Sequence, residues 1–304
     1  MTADQAEARE TLLPAALERI AREIDAAFDA ILTVPSDARA RLIEAMRHAA
    51  IGGGKRIRPL LLTATAEMYG VDRDAAIRAA LAIESIHVYS LIHDDLPCMD
   101  DDDMRRGKPT VHRAFDEATA VLAGDSLHDL AFELLADPRT SADPFVRVEL
   151  VRALGSASGF SGMAGGQMMD LAAEESDFDL QTVTRLQQLK TGALLAASVE
   201  MGAILGHVPE EGRRHLRAYA RDIGLAFQIA DDLIDHEGDE ATAGKAVGKD
   251  AAAGKQTFVS LLGADRAREQ ARVLVDQAIG HLAQHGAEAD ILREVAQYIV
   301  ERDH

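Results

Sequence analysis

Two groups of carboxylates stand out. Asp94, Asp95, Asp100, Asp101, Asp102 and Asp103 fall within ten residues, directly after the apolar run HVYSLIH, and Asp231, Asp232 and Asp235 follow in FQIADDLID. A run of aspartates in isolation reads as a solvated acidic face. Asp94 and Asp95, however, end an apolar helical segment, where the helix dipole is already negative, so a cation or a function must offset their placement. Asp231 and Asp235 are four residues apart, about 40° around a helix, and so share one face. Like charges at that spacing cost a few tenths of a kcal/mol unless something bridges them. Hard carboxylate oxygens completed by water and phosphate oxygens suit Mg²⁺. Neither group has the twelve-residue calcium-loop pattern. A zinc site from His93, Cys98 and His112 matches no standard spacing.

Basic residues accompany both groups. GGGKRIRP places Lys55, Arg56 and Arg58 after glycines and beside Pro59 at the start of a helix. Glycines let backbone approach a phosphate closely, and a helix N-terminus favours an anion. The pattern is not the strand–GxxxxGK[ST]–helix phosphate loop. Arg105 and Arg106 are adjacent and point in different directions, so the pair can serve two anions. Lys190-Thr191-Gly192 interrupts an otherwise apolar helical stretch. Lys245, Lys249 and Lys255 lie in the Gly/Ala/Lys-rich residues 236–256, which read as a loop.

The elements that must position these residues are helices. LPAALERIAREIDAAFDAIL carries apolar residues at three-to-four spacing, whereas AAIRAALAIESIHVYSLIHDD, LKTGALLAASVEMGAILG and LRAYARDIGLAFQIADDLIDHE are apolar on most faces and read as buried. No segment alternates convincingly as a strand, and no Pro- or Ser-rich linker divides the chain. The reading is all-α: one large helical domain over residues 1–304. The chain has 304 residues, 51 acidic against 32 basic, for a formal net charge of −19. That charge, with 4% aromatics and no Trp, argues against a nucleic-acid partner, which needs a basic footprint and stacking platforms. A single cysteine, Cys98, forms no internal disulfide and fits a reducing compartment. The N-terminus lacks a signal-peptide pattern and no run of 18 apolar residues occurs, so a cytoplasmic protein without stable membrane association is expected.

GGGKRIRP, HVYSLIHDDLPCMDDDDMRRGKPTVH, GGQMMDL, KTG, FQIADDLID and GKAVGKD, in this order, resemble the trans-isoprenyl diphosphate synthases, and among them the bacterial farnesyl diphosphate synthases (geranyltranstransferases). The resemblance runs from about residue 30 to YIVERDH. It implies an isoprenoid synthase-type bundle around a central cavity and a homodimer. It also implies head-to-tail condensation of isopentenyl diphosphate with dimethylallyl or geranyl diphosphate, by ionisation, condensation and elimination, to a C15 product. About three Mg²⁺ ions per site are implied once diphosphate is bound. Carried over residue by residue, Asp94, Asp100 and Asp231 are metal ligands, with Asp235 supporting. Arg105, Lys190, Thr191, Gln228, Lys245 and Lys255 contact the allylic diphosphate; Lys55, Arg58, His87 and Arg106 contact isopentenyl diphosphate. Arg105, Lys190 and Lys245 thereby join Asp94, Asp100 and Asp231 as catalytic. Without the resemblance, His87 would read as a core histidine.

Four residues separate Asp95 from Asp100, so Pro97 must break the helix and fold Asp100 back. Tyr89, with the small Ser90 beside it, is expected to floor the product tunnel, giving C15 with C20 as the alternative. A class I terpene cyclase would not need GGGKRIRP, and a non-catalytic regulatory subunit would not need both carboxylate groups. KQTFV stands where relatives usually have K-x-T-Y-P, and His236, Ala243 and the terminal His304 are further departures. They bear on loop closure rather than on a ligand.

Overall fold

The computed structural model describes residues 12–173, 176–237 and 255–301. It is built from helices, and it resolves into two compact units, Met1–Val151 and Arg152–His304.

In the first unit, α1 (Leu12–Ile31) buries Leu13, Ala16, Ile20, Ile24 and Phe28, the spacing of one apolar stripe. There follow α2 (Ala40–Ala50), α3 (Ile57–Met68), α4 (Arg73–Asp94), the short α5 (Val111–Ala114) and α6 (Glu117–Ala136). α4 packs on α1, α2 and α3 and most extensively on α6. Asp72 caps it by accepting the N–H groups of Asp74 (3.0 Å) and Ala75 (3.2 Å), donors that a first turn otherwise leaves unpaired. Every residue from Ala79 to Ile86 is buried. α4 is long and apolar enough by composition to cross a bilayer, but most of it is covered by the protein itself.

The sequence shows no strand, yet Met104–Arg105 pairs antiparallel with Lys108–Pro109. The cause is the turn between them. Arg106 and Gly107 both have positive φ (52° and 75°), the geometry of a tight hairpin turn whose twist matches its strands. Only Gly107 advertises it in the sequence.

α7 (Pro144–Ser158) contains the division between the units. The second unit continues with α8 (Met163–Ala172), α9 (Leu180–Gln187), a π-helical turn at Gln188–Gly192 and α10 (Ala193–Leu205). A 3₁₀ turn precedes α11 (Arg214–Glu237), and α12 (Phe258–Leu262), α13 (Ala264–His281) and α14 (Asp290–Glu301) complete the unit. α11 packs along α13 and against α10, α12 and α14. Tyr219, fully buried on α11, donates its hydroxyl to the Leu292 carbonyl at 2.7 Å, and burial raises its phenol pKa. Of the expected loop at 236–256, residues 238–254 lie outside the described residues. His236 and Glu237 are still helical, because Arg268 of α13 grips both Glu237 oxygens, at 2.6 and 2.7 Å, and extends α11.

Candidate active site

The first carboxylate group begins where α4 ends. Beyond it the chain turns back: the Asp100 N–H donates to the Asp94 carbonyl (2.8 Å) and the Asp101 N–H to that of Leu96 (3.2 Å), with Asp101 at φ 49°. Asp100 is thus returned to the end of the helix, with Pro97 and Cys98 exposed on the outside of the turn. Asp94 is partly accessible and Asp100 exposed, but Asp95 between them is buried. Its carboxylate accepts the Arg105 Nε–H at 2.6 Å. Burial raises the Asp95 carboxyl pKa, against the pull of Arg105. The second Asp of the DD pair is therefore an anchor for the hairpin, and Asp94 and Asp100 are left as an accessible pair of hard oxygen donors. Arg105 also lies 3.6 Å from Asp102.

Arg105 and Arg106 diverge, as adjacent residues on a ribbon should. Arg106 lies against Gly53 and Gly54: a Cβ on Gly54 would stand 2.6 Å from the guanidinium carbon, and one on Gly53 3.0 Å from Cδ. Gly54 also has φ 85°, so a side chain there is strained whether or not the Arg106 guanidinium shifts aside. His87 is held neutral. Its pKa lies well below the ordinary histidine value through burial first, then through the positive charges of Arg58, Arg106, Arg56 and Arg105. Arg58, His87 and Arg106 are therefore electrostatic neighbours; Lys55, three residues before Arg58, is exposed. A pocket open to solvent in this unit is lined by Gly52, Gly53, Val88, Arg105, Arg106 and Lys108, among others.

Tyr89 sits in an aromatic group spanning α4 and α6. Its ring stacks edge-on to His128 (5.1 Å between centroids) and His93 (5.7 Å), and His128 is 5.1 Å from Phe132. Ser90 is tied by its hydroxyl to the His87 carbonyl at 2.9 Å. His128 and Phe132 were not marked by the sequence, and His93 was marked only in a zinc set with Cys98 and His112 that matched no standard spacing. Gly124 makes room for His93, since a Cβ there would meet its Nε2 at 2.1 Å.

In the second unit Lys190 and Thr191 occupy the π-helical turn. Asp170 of GGQMMDL accepts from Lys190 Nζ at 2.7 Å and from Lys255 Nζ at 3.1 Å. Burial favours the neutral acid, but the Lys190 and then the Lys255 ammonium hold the Asp170 pKa below the usual carboxylate range. Thr191 donates to Gln228 Oε1 (3.2 Å), Gln228 Nε2 donates to Asp232 Oδ1 (2.9 Å), and Asp232 Oδ2 accepts the Phe258 N–H (2.8 Å). Asp232 is buried and structural, whereas Asp231 and Asp235 share the partly accessible face of α11. Each unit thus offers a carboxylate pair of the kind that holds Mg²⁺ through one or two carboxylates plus phosphate oxygens and water.

Arg58, His87, Arg105 and Arg106 come together around the end of α4, and Lys190, Thr191, Gln228 and Lys255 around the π turn. Lys245 lies outside the described residues. Asp170 and Asp232 escaped sequence reasoning, although GGQMMDL and the DD pair both carried the signal. Phe258 and Val259 of KQTFV are buried, and neither removes the backbone N–H that reaches Asp232.

Residues 39–299 match the polyprenyl synthetase family. The farnesyl diphosphate synthase of Escherichia coli K12 is 46% identical over 271 residues, 86% of this chain and 89% of that protein. A chloroplastic geranylgeranyl pyrophosphate synthase of Catharanthus roseus is 43% identical over 87% of this chain and 74% of its own. A crystal structure of an FPP/GFPP synthase from Zymomonas mobilis superposes with a TM-score of 0.87 at 59% identity, covering 95% of this chain and 98% of that one. With the motifs, the helical architecture and the matches in agreement across both units, the chain belongs to the polyprenyl synthetase family.

Proposed function

We propose that this protein condenses isopentenyl diphosphate with dimethylallyl and geranyl diphosphate to give farnesyl diphosphate, within one polyprenyl synthase domain that spans both units. The carrying observation is the return of Asp100 onto Asp94 by the 2.8 Å backbone bond, with Arg105 anchored alongside. That turn supports reading Asp94 and Asp100 as ligands of a Mg²⁺ bound with the allylic diphosphate; Asp231 and Asp235 would hold a further ion. When bound, the metal supplies charge neutralisation to the departing diphosphate.

The chain's own cations do the rest. Lys190, Lys255 and Arg105 stabilise negative charge as the allylic C–O bond breaks, the stage at which preorganised charge counts most. Thr191 and Gln228 orient the same group, and Lys245 is assigned to it from its motif. Lys55, Arg58, Arg106 and the neutral His87 hold isopentenyl diphosphate so that its double bond faces the cation. The proton then lost passes to the departing diphosphate. Tyr89 with His93, His128 and Phe132 would stop chain growth.

A C20 product is the second reading, favoured by the small Ser90 beside Tyr89 and by geranylgeranyl pyrophosphate synthases among the relatives. A homodimer is supported by apolar side chains left exposed in the first unit, Leu122 on α6 (56% exposed) and Phe145 and Val148 on α7 (81% and 68%); light scattering tests it. The single cysteine and the self-covered α4 support a cytoplasmic enzyme without a membrane span. Product analysis after incubation with isopentenyl and dimethylallyl diphosphates and Mg²⁺ tests the reading. The expected outcome is a C15 diphosphate that vanishes with Asp94→Ala. A C20 product keeps the reaction and overturns the chain length, and no condensation overturns the whole proposal.

A further inference from the structure

Arg56 stands in the middle of GGGKRIRP, yet it turns away from the accessible side on which Lys55 lies. It is 3% exposed. One guanidinium nitrogen donates to Glu84 Oε1 at 2.6 Å; the other donates to Asp25 Oδ1 at 2.7 Å and to the Ala50 carbonyl at 2.5 Å. Asp25 uses its second oxygen to accept the Gly52 N–H at 3.1 Å. A single carboxylate on α1 therefore holds both ends of the segment 52–56. Glu84, 1% exposed, fastens the same guanidinium to α4 three residues before His87, one turn down the helix. The backbone of Arg56 is left-handed (φ 51°, ψ 35°), a conformation that glycine adopts freely and side chains avoid. A sequence with three glycines just before could have placed a fourth there. An arginine persists because its planar fork makes bonds that no glycine supplies.

Burying an ion trio adds little to stability over an apolar cluster, so its use lies in fixing geometry. We propose that Asp25, Arg56 and Glu84 form a carboxylate–guanidinium clamp around the buried Arg56 that sets Lys55, one residue before Arg56, and Arg58, two residues after it, relative to His87. Arg56 is a positioning residue for the isopentenyl diphosphate subsite and does not contact the ligand. This inference rests on the function proposed above.

Two variants of the full-length protein separate the clamp from general loosening. Arg56→Gly keeps the left-handed backbone comfortable and deletes the guanidinium. Asp25→Ala removes the loop's second tether but leaves the buried Arg56–Glu84 pair in place. In both, KM for isopentenyl diphosphate is expected to rise about tenfold, with kcat and KM for geranyl diphosphate within about twofold, the effect of misplacing a binding group without touching the chemistry. Arg56→Lys should recover part of the loss seen in Arg56→Gly. Hydrogen exchange gives a second readout, with the amides of 52–58 expected to exchange faster in Asp25→Ala than in wild type. An unchanged KM for isopentenyl diphosphate, or an equal rise for both substrates, overturns the proposal. If Arg56→Gly fails to fold, Asp25→Ala decides. If the wild-type protein condenses nothing, the function is wrong, and the exchange comparison still judges the clamp.

Discussion

In the first unit Arg56 and Arg105 are each tied to a buried carboxylate, Glu84 and Asp95, whereas in the second Lys190 and Lys255 share Asp170. An arginine in a buried pair is fixed before any ligand arrives, and its planar donors leave little freedom. Two ammonium groups on one carboxylate are over-subscribed, so an incoming anion can take one without stranding a buried charge. The comparison teaches that a preset cradle and a responsive one can both be built from cations paired with carboxylates. Partner number and burial decide which results.

Breaking the preset side should have the largest effect. Glu84→Ala leaves the Arg56 charge buried with Asp25 alone and is expected to lower the unfolding free energy by about 3 kcal/mol, read from urea denaturation. A loss below about 0.5 kcal/mol would mean that the pair behaves like a surface one and would end the contrast. On the responsive side, Asp170→Asn should lower kcat/KM for geranyl diphosphate by about tenfold at a stability cost of only about 1 kcal/mol. Steady-state kinetics with each substrate varied in turn would show it, and equal losses on both substrates would count against the shared-carboxylate account.

Tyr89→Ala sharpens the picture within the first unit. Opening the aromatic group formed with His93 and His128 should let products longer than C15 accumulate, as chromatography of the dephosphorylated prenols would reveal. An unaltered length would detach Tyr89 from chain-length control. The smallest expected effect is on pH. His87 has a folded pKa well below its ordinary value near 6.5, so below about pH 6.5 the unfolded chain binds a proton that the folded chain refuses. Stability therefore falls as pH falls from 7 to 5.5 through this group. His87→Asn should flatten that part of the pH–stability curve; an unchanged slope would place the protonating group elsewhere.

The helices and the two carboxylate groups were legible in the sequence because their signals are local. Three-to-four apolar spacing marks α1, and DD with a following proline marks the turn after α4. What stayed hidden depends on partners distant in the chain. Nothing local distinguishes Asp95, which anchors Arg105, from its neighbour Asp94, or separates buried Asp232 from accessible Asp231. Arg56 reads as one more phosphate-binding cation until Glu84, 28 residues away, is seen to claim it. The hairpin at 104–109 was missed because a two-residue strand has no room for alternation. The π-helical turn was missed because KTG breaks an apolar pattern without saying how the backbone absorbs the break.

That turn has a consequence for how the protein can change through evolution. A π turn is an α-helix carrying one surplus residue, so deleting a single residue from Gln188–Gly192 would restore an unbroken helix from Leu180 to Leu205. The flanking helical segments would keep their phase, because the bulge is what absorbs the surplus residue, but the backbone step that carries Lys190 and Thr191 would be lost. Gly166, whose Cβ would fall 2.2 Å from the Lys190 nitrogen, leaves no slack to absorb an intermediate. Losing the bulge is therefore a single-residue event, and it would take the placement of Lys190 and Thr191 with it.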